Sequence, residues 1–404
     1  MDRLDNMFVL SAEQERRLKA IGELADGFAE EVHRVDAEHD FAYAHIEALR
    51  RLGYFSYTVP ADEGGEGISL YEFVLYQERL AQGDASIALG VGWHLGVVYD
   101  LNHKKQWTEA ALTDLNEKIV KDQHLVNRAA TEKASGSPTR GGKPLTTAKR
   151  RQDGSYVLNG RKTFTTLSPV LDHFIVTASV EEDTAEFLIP RNTAGLRIEE
   201  TWHTLGMRGT ASHDLVLEDV VLPESALACL LPKKSASAAT PYLLHIPACY
   251  LGIALAARKE AIKFAYSYHP NSLPAPIIHL PNIVQQLGQI ELELHAARHF
   301  LYSVAARWDR QVLPPERLNA ELNAVKVTAV QTAMSVVDKA MRIAGAHSLA
   351  LDHPLQRLYR DVRFGLHNPP MEDAVLSMLG KLAISDYEDA YGRGNAPSTR
   401  SEGR

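Results

Sequence analysis

Residues 172–223 contain four short runs, DHFIVTASV (172–180), AEFLIPR (185–191), LRIEE (196–200) and HDLVLEDVVLP (213–223). They are β-branched or alternate between apolar and polar residues, the period-two pattern of strands whose successive side chains point to opposite faces. Just upstream, Asp153-Gly154 and Asn159-Gly160 supply turn pairs that accept the backbone conformations a hairpin needs. A β domain is therefore expected over 123–240. It closes in the small-residue segment KKSASAAT (233–240), which reads as a loop or linker.

On either side of this stretch the period changes to that of a helix. AEQERRLKAIGELADGFAEEVHRV (12–35) and FAYAHIEALRRLGYF (41–55) place apolar residues three and four apart. After the loop PADEGGEG (60–67) comes LYEFVLYQERLAQGDASIALGVGWHLGVVYDL (70–101), whose second half is apolar or small enough to be buried. Beyond residue 241, Leu287, Ile290, Leu294, Ala297, Leu301 and Val304 form one seam, and Val330, Met334, Val337, Met341 and Ala344 another. Seams of this kind pack helix on helix, within a bundle or between subunits. The expected units are a helical 1–122, a β 123–240 and a helical 241–404, with a polar, frayed tail GRGNAPSTRSEGR (392–404).

With 404 residues, at roughly 150 per domain, two to three units are also what length alone predicts. Lys+Arg 43 against Asp+Glu 51 gives a net charge of −8 and there is no long basic block, which argues against nucleic-acid or anionic-membrane partners. A hydrophobic share of 45% supplies a large core. The two cysteines, Cys229 and Cys249, have no metal-ligand spacing, so neither a disulfide framework nor a metal site is expected, and a reducing cytoplasm fits. The N-terminus carries no apolar core of signal-peptide length, and no apolar run of about 18 residues occurs. A small molecule and further copies of the chain are the expected partners.

Motifs carry the function. The β region opens with Arg128-Ala-Ala-Thr131-Glu132-Lys-Ala-Ser-Gly136-Ser137, continues through Leu158-Asn159-Gly160-Arg-Lys162-Thr-Phe164-Thr-Thr166, and closes with Leu205-Gly-Met-Arg208-Gly-Thr210. VPADEGGEG (59–67) and HPLQRLYRDVR (353–363) flank them in order. Together these segments resemble the acyl-CoA dehydrogenase family over essentially the whole chain. The resemblance implies an α+β fold with an N-terminal α-helical domain, a middle β-barrel-like domain and a C-terminal four-helix bundle, assembled as a homotetramer. It implies a flavin, FAD or alternatively FMN, that accepts hydride in the α,β-dehydrogenation of an acyl-CoA. The implied cofactor-binding residues are Arg128, Ala130 and Thr131 along the ring's edge, Phe164 packed on the ring where the family usually has tryptophan, Thr166 as a hydroxyl contact, and Arg342 toward the pyrophosphate. Ser137 matches a substrate-binding serine. An electron-transfer flavoprotein or a flavin reductase is the implied redox partner.

The chain departs from the family where the chemistry needs a base. The family's catalytic glutamate falls on Pro369 in HNPPMED (367–373), and the alternative position of some members falls on Tyr242. Glu372 could substitute from a shifted loop, although an acid there also suits a helix N-terminus. Family branches that act as two-component flavin monooxygenases lack this glutamate and use histidines near the flavin. Here His94, in GVGWHLGVV (90–98), and His367 are the catalytic candidates of that kind, with His245 a weaker one. The plain alternative for each is a core or loop histidine. Much of the family's ADP-binding set is replaced, by Pro270, Leu273, Pro281 and Arg342-Ile-Ala-Gly345-Ala346. A paralogue that binds flavin or acyl-CoA without catalysis is a third expectation.

Overall fold

A computed structural model describes residues 3–134, 142–231 and 239–391. Ser137, most of the 233–240 segment and the 392–404 tail lie outside the described residues. Five helices come first: α1 (Ala12–Glu38), α2 (Tyr43–Arg51), α3 (Leu70–Ala81), α4 (Ala85–Lys104) and α5 (Glu109–Asp122). Their starts are encoded locally. Ser69 and Glu72 form a capping box at α3, and the Asp84 carboxylate accepts the backbone N–H groups of Ser86 and Ile87 at the head of α4. Each cap satisfies donors that would otherwise be orphaned at a helix end. The stretch Ala85–Leu101 of α4 is almost wholly buried, as its composition demands.

Eight strands follow: β1 (Val126–Ala129), β2 (Thr147–Arg150), β3 (Tyr156–Thr165), β4 (His173–Val180), β5 (Asp183–Pro190), β6 (Leu196–Glu199), β7 (His213–Leu222) and β8 (Leu227–Leu231). They form one sheet in the order β6-β7-β3-β2-β4-β5-β8, with β1 added parallel to β4. The expected barrel is not closed: among the described residues β6 and β8 remain as edges of an open sheet. The β3/β7 ladder slips between Lys162 and Thr165, and Phe164 and Leu167 both adopt positive φ (57° and 59°). That irregularity ends β3 in a turn that carries Phe164 and Thr166 out of the ladder.

The C-terminal part contains α6 (His245–Ser267), α7 (Pro281–Asp309), α8 (Pro315–Ala344), the short α9 (Pro354–Val362) and α10 (Glu372–Tyr391). The α7 seam packs inward, with Ile290, Leu294 and Leu301 fully buried. Helix α3 is pinned to α7 by the Arg298 guanidinium, which grips both oxygens of the buried Glu78 carboxylate at 2.7–3.2 Å, while Tyr302 adds its hydroxyl. In α10 only Val375 is buried, and Leu376, Leu382, Ile384, Tyr387 and Tyr391 stand exposed. Among the described residues no helix is long and apolar enough to cross a membrane.

Candidate functional site

The site forms where the end of β1 meets the turn after β3. Thr131 O accepts the backbone N–H of Thr163 at 2.9 Å, which lays the segment Ala130–Thr131 alongside the end of β3. One residue on, Phe164 is 58% exposed in a chain whose other aromatics in this sheet are buried. Its ring meets Trp202 edge-on at 5.8 Å, and Trp202 meets Phe364 at 5.9 Å in the same manner. Three rings in edge-to-face contact thus bridge the sheet and the turn after α9, a geometry that aromatic quadrupoles favour.

Hydroxyl groups line the adjacent edge. Thr166 Oγ1 lies 3.0 Å from Ser212 Oγ, which lies 3.0 Å from Thr210 Oγ1, and Thr210 donates to Met207 O at 2.9 Å. The carbonyl of Thr166 accepts from Asn127 Nδ2 at 3.2 Å, so the turn is fixed from the β1 side as well. Trp202 Nε1 also donates to Met207 O, at 3.0 Å.

Several candidate side chains are placed elsewhere or otherwise engaged. Arg128 turns its guanidinium to Asp100 at 2.9 Å and Glu186 at 3.0 Å, so its side chain is committed to an ion-pair network rather than free for a cofactor. Burial opposes its charge, but Glu186, Tyr242 and Asp100 outweigh that and raise its pKa. Glu132 of the first motif serves the fold: burial would raise its pKa, but Lys162 at 2.7 Å and the N–H groups of Thr146 and Leu145 lower it to about 2. Arg342 is 75% exposed and only 3.9 Å from Asp338, its nearest acid.

The proton-transfer candidates separate. His94 is fully buried, with Nδ1 3.1 Å from the backbone of Val126 and Nε2 2.9 Å from Phe55 O, and burial lowers its pKa to about 4. Both nitrogens are engaged by backbone groups, and the ring brackets β1 to α4 and the 54–56 turn. His245 is likewise fully buried, stacked on Phe73 and edge-on to Trp93, with a pKa lowered to about 3 by burial. His367 is different. It is exposed, and its backbone N–H donates to Phe364 O at 3.0 Å, which sets it directly after the aromatic bridge. Neither family glutamate position holds a carboxylate: Tyr242 has a phenol pushed up to about 12, chiefly by burial, and Pro369 sits beside Asn368, whose side chain accepts from Tyr250. Glu372 opens α10, where its Oε1 accepts from Gln331 Nε2 at 2.6 Å.

The sequence reading missed Trp202, Phe364 and the hydroxyls of Thr210 and Ser212. An aromatic residue five positions before Met207 of the third motif was the available signal for Trp202. The hydroxyl chain had none, since it depends on β7 pairing with β3 so that Thr165 faces His213 and Ser212 meets the turn at Thr166, a pairing neither segment encodes alone.

Comparison with known proteins agrees with this architecture. Models of the acyl-CoA dehydrogenase N-terminal, middle and C-terminal domains match residues 11–104, 127–220 and 244–368. YdbM of Bacillus subtilis (strain 168) is 48% identical over 385 residues, covering 95% of this chain and 100% of that one. Among solved structures, butyryl-CoA dehydrogenase from Megasphaera elsdenii superposes with a TM-score of 0.82 at 22% identity, covering 95% of this chain and 100% of that one. The monooxygenase TdsC from Paenibacillus sp. A11-2, in complex with FMN and indole, gives 0.82 at 23%, covering 92% and 97%. With all three domain models matched in order, the chain belongs to the acyl-CoA dehydrogenase family of flavoprotein oxidoreductases.

Proposed function

We propose that the chain binds flavin against Ala130, Thr131, Phe164 and Thr166 and uses it as an oxygen-dependent oxidoreductase of the two-component type, supplied with reduced flavin by a separate reductase. An isoalloxazine needs a flat apolar wall and hydrogen-bonding groups along its edge, and it brings the electron transfer that amino-acid side chains lack. The exposed ring of Phe164 and the adjacent Thr166 hydroxyl fit those needs. The observation that carries the reading is His367: it is the exposed titratable ring next to Phe364, while Tyr242 and Pro369 leave both glutamate positions without a carboxylate. An imidazole can hold or release a proton beside the flavin.

A second reading, α,β-dehydrogenation of an acyl-CoA-type substrate with electrons passed to an electron-transfer flavoprotein, is favoured by Glu372. That carboxylate lies close to Lys326, which is 2% exposed and whose pKa burial pushes down to about 8. The deciding experiment is anaerobic mixing of the flavin-loaded protein with acyl-CoAs of graded chain length while flavin absorbance is followed. Bleaching establishes the dehydrogenase; no bleaching, with substrate-dependent oxygen uptake from reduced flavin, establishes the proposed function. A protein that does neither is a binding paralogue.

The weakened ADP set favours FMN over FAD, and the two titrated in parallel distinguish them. A homotetramer belongs to the same reading, supported by the exposed apolar residues of α10, and a monomer by light scattering at micromolar concentration overturns it. Soluble expression in the cytoplasm is the corresponding localisation.

A further inference from the structure

The loop 205–210 is held by α9 at unusually close range. A Cβ placed on Gly206 would fall 2.4 Å from Arg360 O, so the loop backbone lies directly on the helix backbone. The next residue, Met207, is fully buried and adopts φ 49°, a left-handed conformation that a side chain other than glycine enters only when its surroundings impose it. What imposes it is Asp361. Its Oδ1 accepts the Met207 N–H at 2.6 Å, and its other oxygen faces Arg357 at 3.4 Å.

The other side of the same residue does the reverse. Met207 O accepts from Trp202 Nε1 and from Thr210 Oγ1, and the Thr210 hydroxyl continues through Ser212 to Thr166. One residue therefore joins a buried carboxylate to both an aromatic ring and a hydroxyl of the candidate site. Asp36 on α1 also holds this loop, through Arg360, which donates to the Leu205 carbonyl, and through Arg208 at 3.9 Å, but among the described residues its contacts go to neither Met207 nor the hydroxyl chain.

We propose that Asp361 is a positioning residue for the flavin-facing groups: by holding the Met207 backbone it sets the indole of Trp202 and the hydroxyl chain that ends at Thr166. The inference rests on the flavin reading above. Asp361 touches no reacting atom and acts only through Met207. The link is conformational: the bond from Asp361 fixes the Met207 backbone at φ 49°, and that backbone sets the direction of the Met207 carbonyl on which Trp202 and Thr210 converge.

The test titrates the apoprotein with FMN and, separately, FAD, recording affinity from flavin fluorescence and the visible absorption band of the bound flavin. Asp361→Ala and Ser212→Ala are each expected to weaken binding about tenfold and to displace the band in the same direction. The double variant should do no worse than the more affected single one, because both changes cut one chain. Asp361→Asn, which retains an acceptor for the Met207 N–H, should recover part of the loss. In the apoprotein, the emission of Trp202, isolated by difference against Trp202→Phe, should shift in Asp361→Ala. Asp36→Asn loosens the other side of the clamp and should lower the melting temperature while leaving affinity and band in place. Wild-type affinity and band in Ser212→Ala overturn the inference, and do so on their own if Asp361→Ala fails to fold. An equal loss in Asp36→Asn overturns it too, since Asp361 would then act only through general stability. A wild-type protein that binds neither flavin overturns the flavin reading and this inference with it, an outcome set apart by the flat wild-type titration.

Discussion

His94 Nδ1 lies 3.1 Å from both the backbone nitrogen and the carbonyl oxygen of Val126, across the junction of α4 and β1. Its other nitrogen lies 2.9 Å from Phe55 O, so both ring nitrogens are engaged by backbone groups. Burial disfavours its charged form, so the ring is held neutral, and it ties the helical region to the first strand. A histidine so placed is a structural bracket whose loss leaves a cavity and an unpaired buried N–H.

His94→Ala is accordingly expected to lower unfolding free energy by roughly 2–4 kcal/mol. Urea denaturation measures it. Flavin affinity of the folded variant should stay within about twofold of wild type, and a variant of unchanged stability but abolished turnover would return His94 to the chemistry.

The same burial predicts acid lability. Burial, with neighbouring His124 adding to it at His173, lowers the pKa of His94 and His173 from the ordinary 6.5 to about 4, and burial lowers that of His245 to about 3. Between pH 6.5 and those values the unfolded chain takes up protons that the folded chain refuses, so stability falls as pH falls. Each histidine contributes up to about 1.4 kcal/mol per pH unit across its window. Melting temperature should therefore drop steadily from pH 6.5 toward 4, and a His173→Gln variant should flatten part of that slope.

How much of this was legible beforehand depends on the range over which the determining contacts act. The strands β4, β5 and β7 stood out because β-branched and alternating runs are local signals, and α3 and α4 stood out as one helical run over 70–101, whose break before Asp84, the N-cap of α4, went unread. The closed barrel was not legible, since closure depends on whether β6 and β8 meet, which neither strand encodes alone. His94 and His367 looked alike as isolated histidines near apolar sequence, and only burial separates them: one is enclosed by Phe55 and Val126, the other follows the aromatic bridge at Phe364. Arg128 was read from its motif, whereas its side-chain direction is decided by Asp100 and Glu186 from distant elements.

Phe164 gives a direct probe of the flavin wall. Because its ring is 58% exposed, little apolar area is lost from the fold on its removal. Phe164→Ala should change stability by no more than about 0.5 kcal/mol yet weaken flavin binding about tenfold, in line with the loss of an aromatic contact. Phe164→Trp should restore or strengthen binding. Unchanged affinity in Phe164→Ala would move the flavin away from this turn.

The proton-transfer group decides the reaction. His367 is exposed, bonded through its backbone to Phe364, and free of the enclosure that holds His94. Glu372 is tied to Gln331 and belongs by position to the head of α10, where a negative charge favours the helix dipole. If His367 handles the proton, His367→Ala should cut oxygen-dependent turnover by roughly 10²–10⁴-fold, the range for losing a general acid or base. Flavin affinity should hold, because the imidazole is not part of the wall formed by Phe164, and Glu372→Gln should be nearly silent. If Glu372 is the base of a dehydrogenase, Glu372→Gln should abolish anaerobic flavin reduction by acyl-CoA with flavin still bound, since the amide keeps the shape and removes the basic oxygen. His367→Ala would then change that reduction little. Single-turnover kinetics on the two variants, run with and without oxygen, separate these patterns, and an active enzyme indifferent to both substitutions would place proton transfer on a group other than His367 or Glu372.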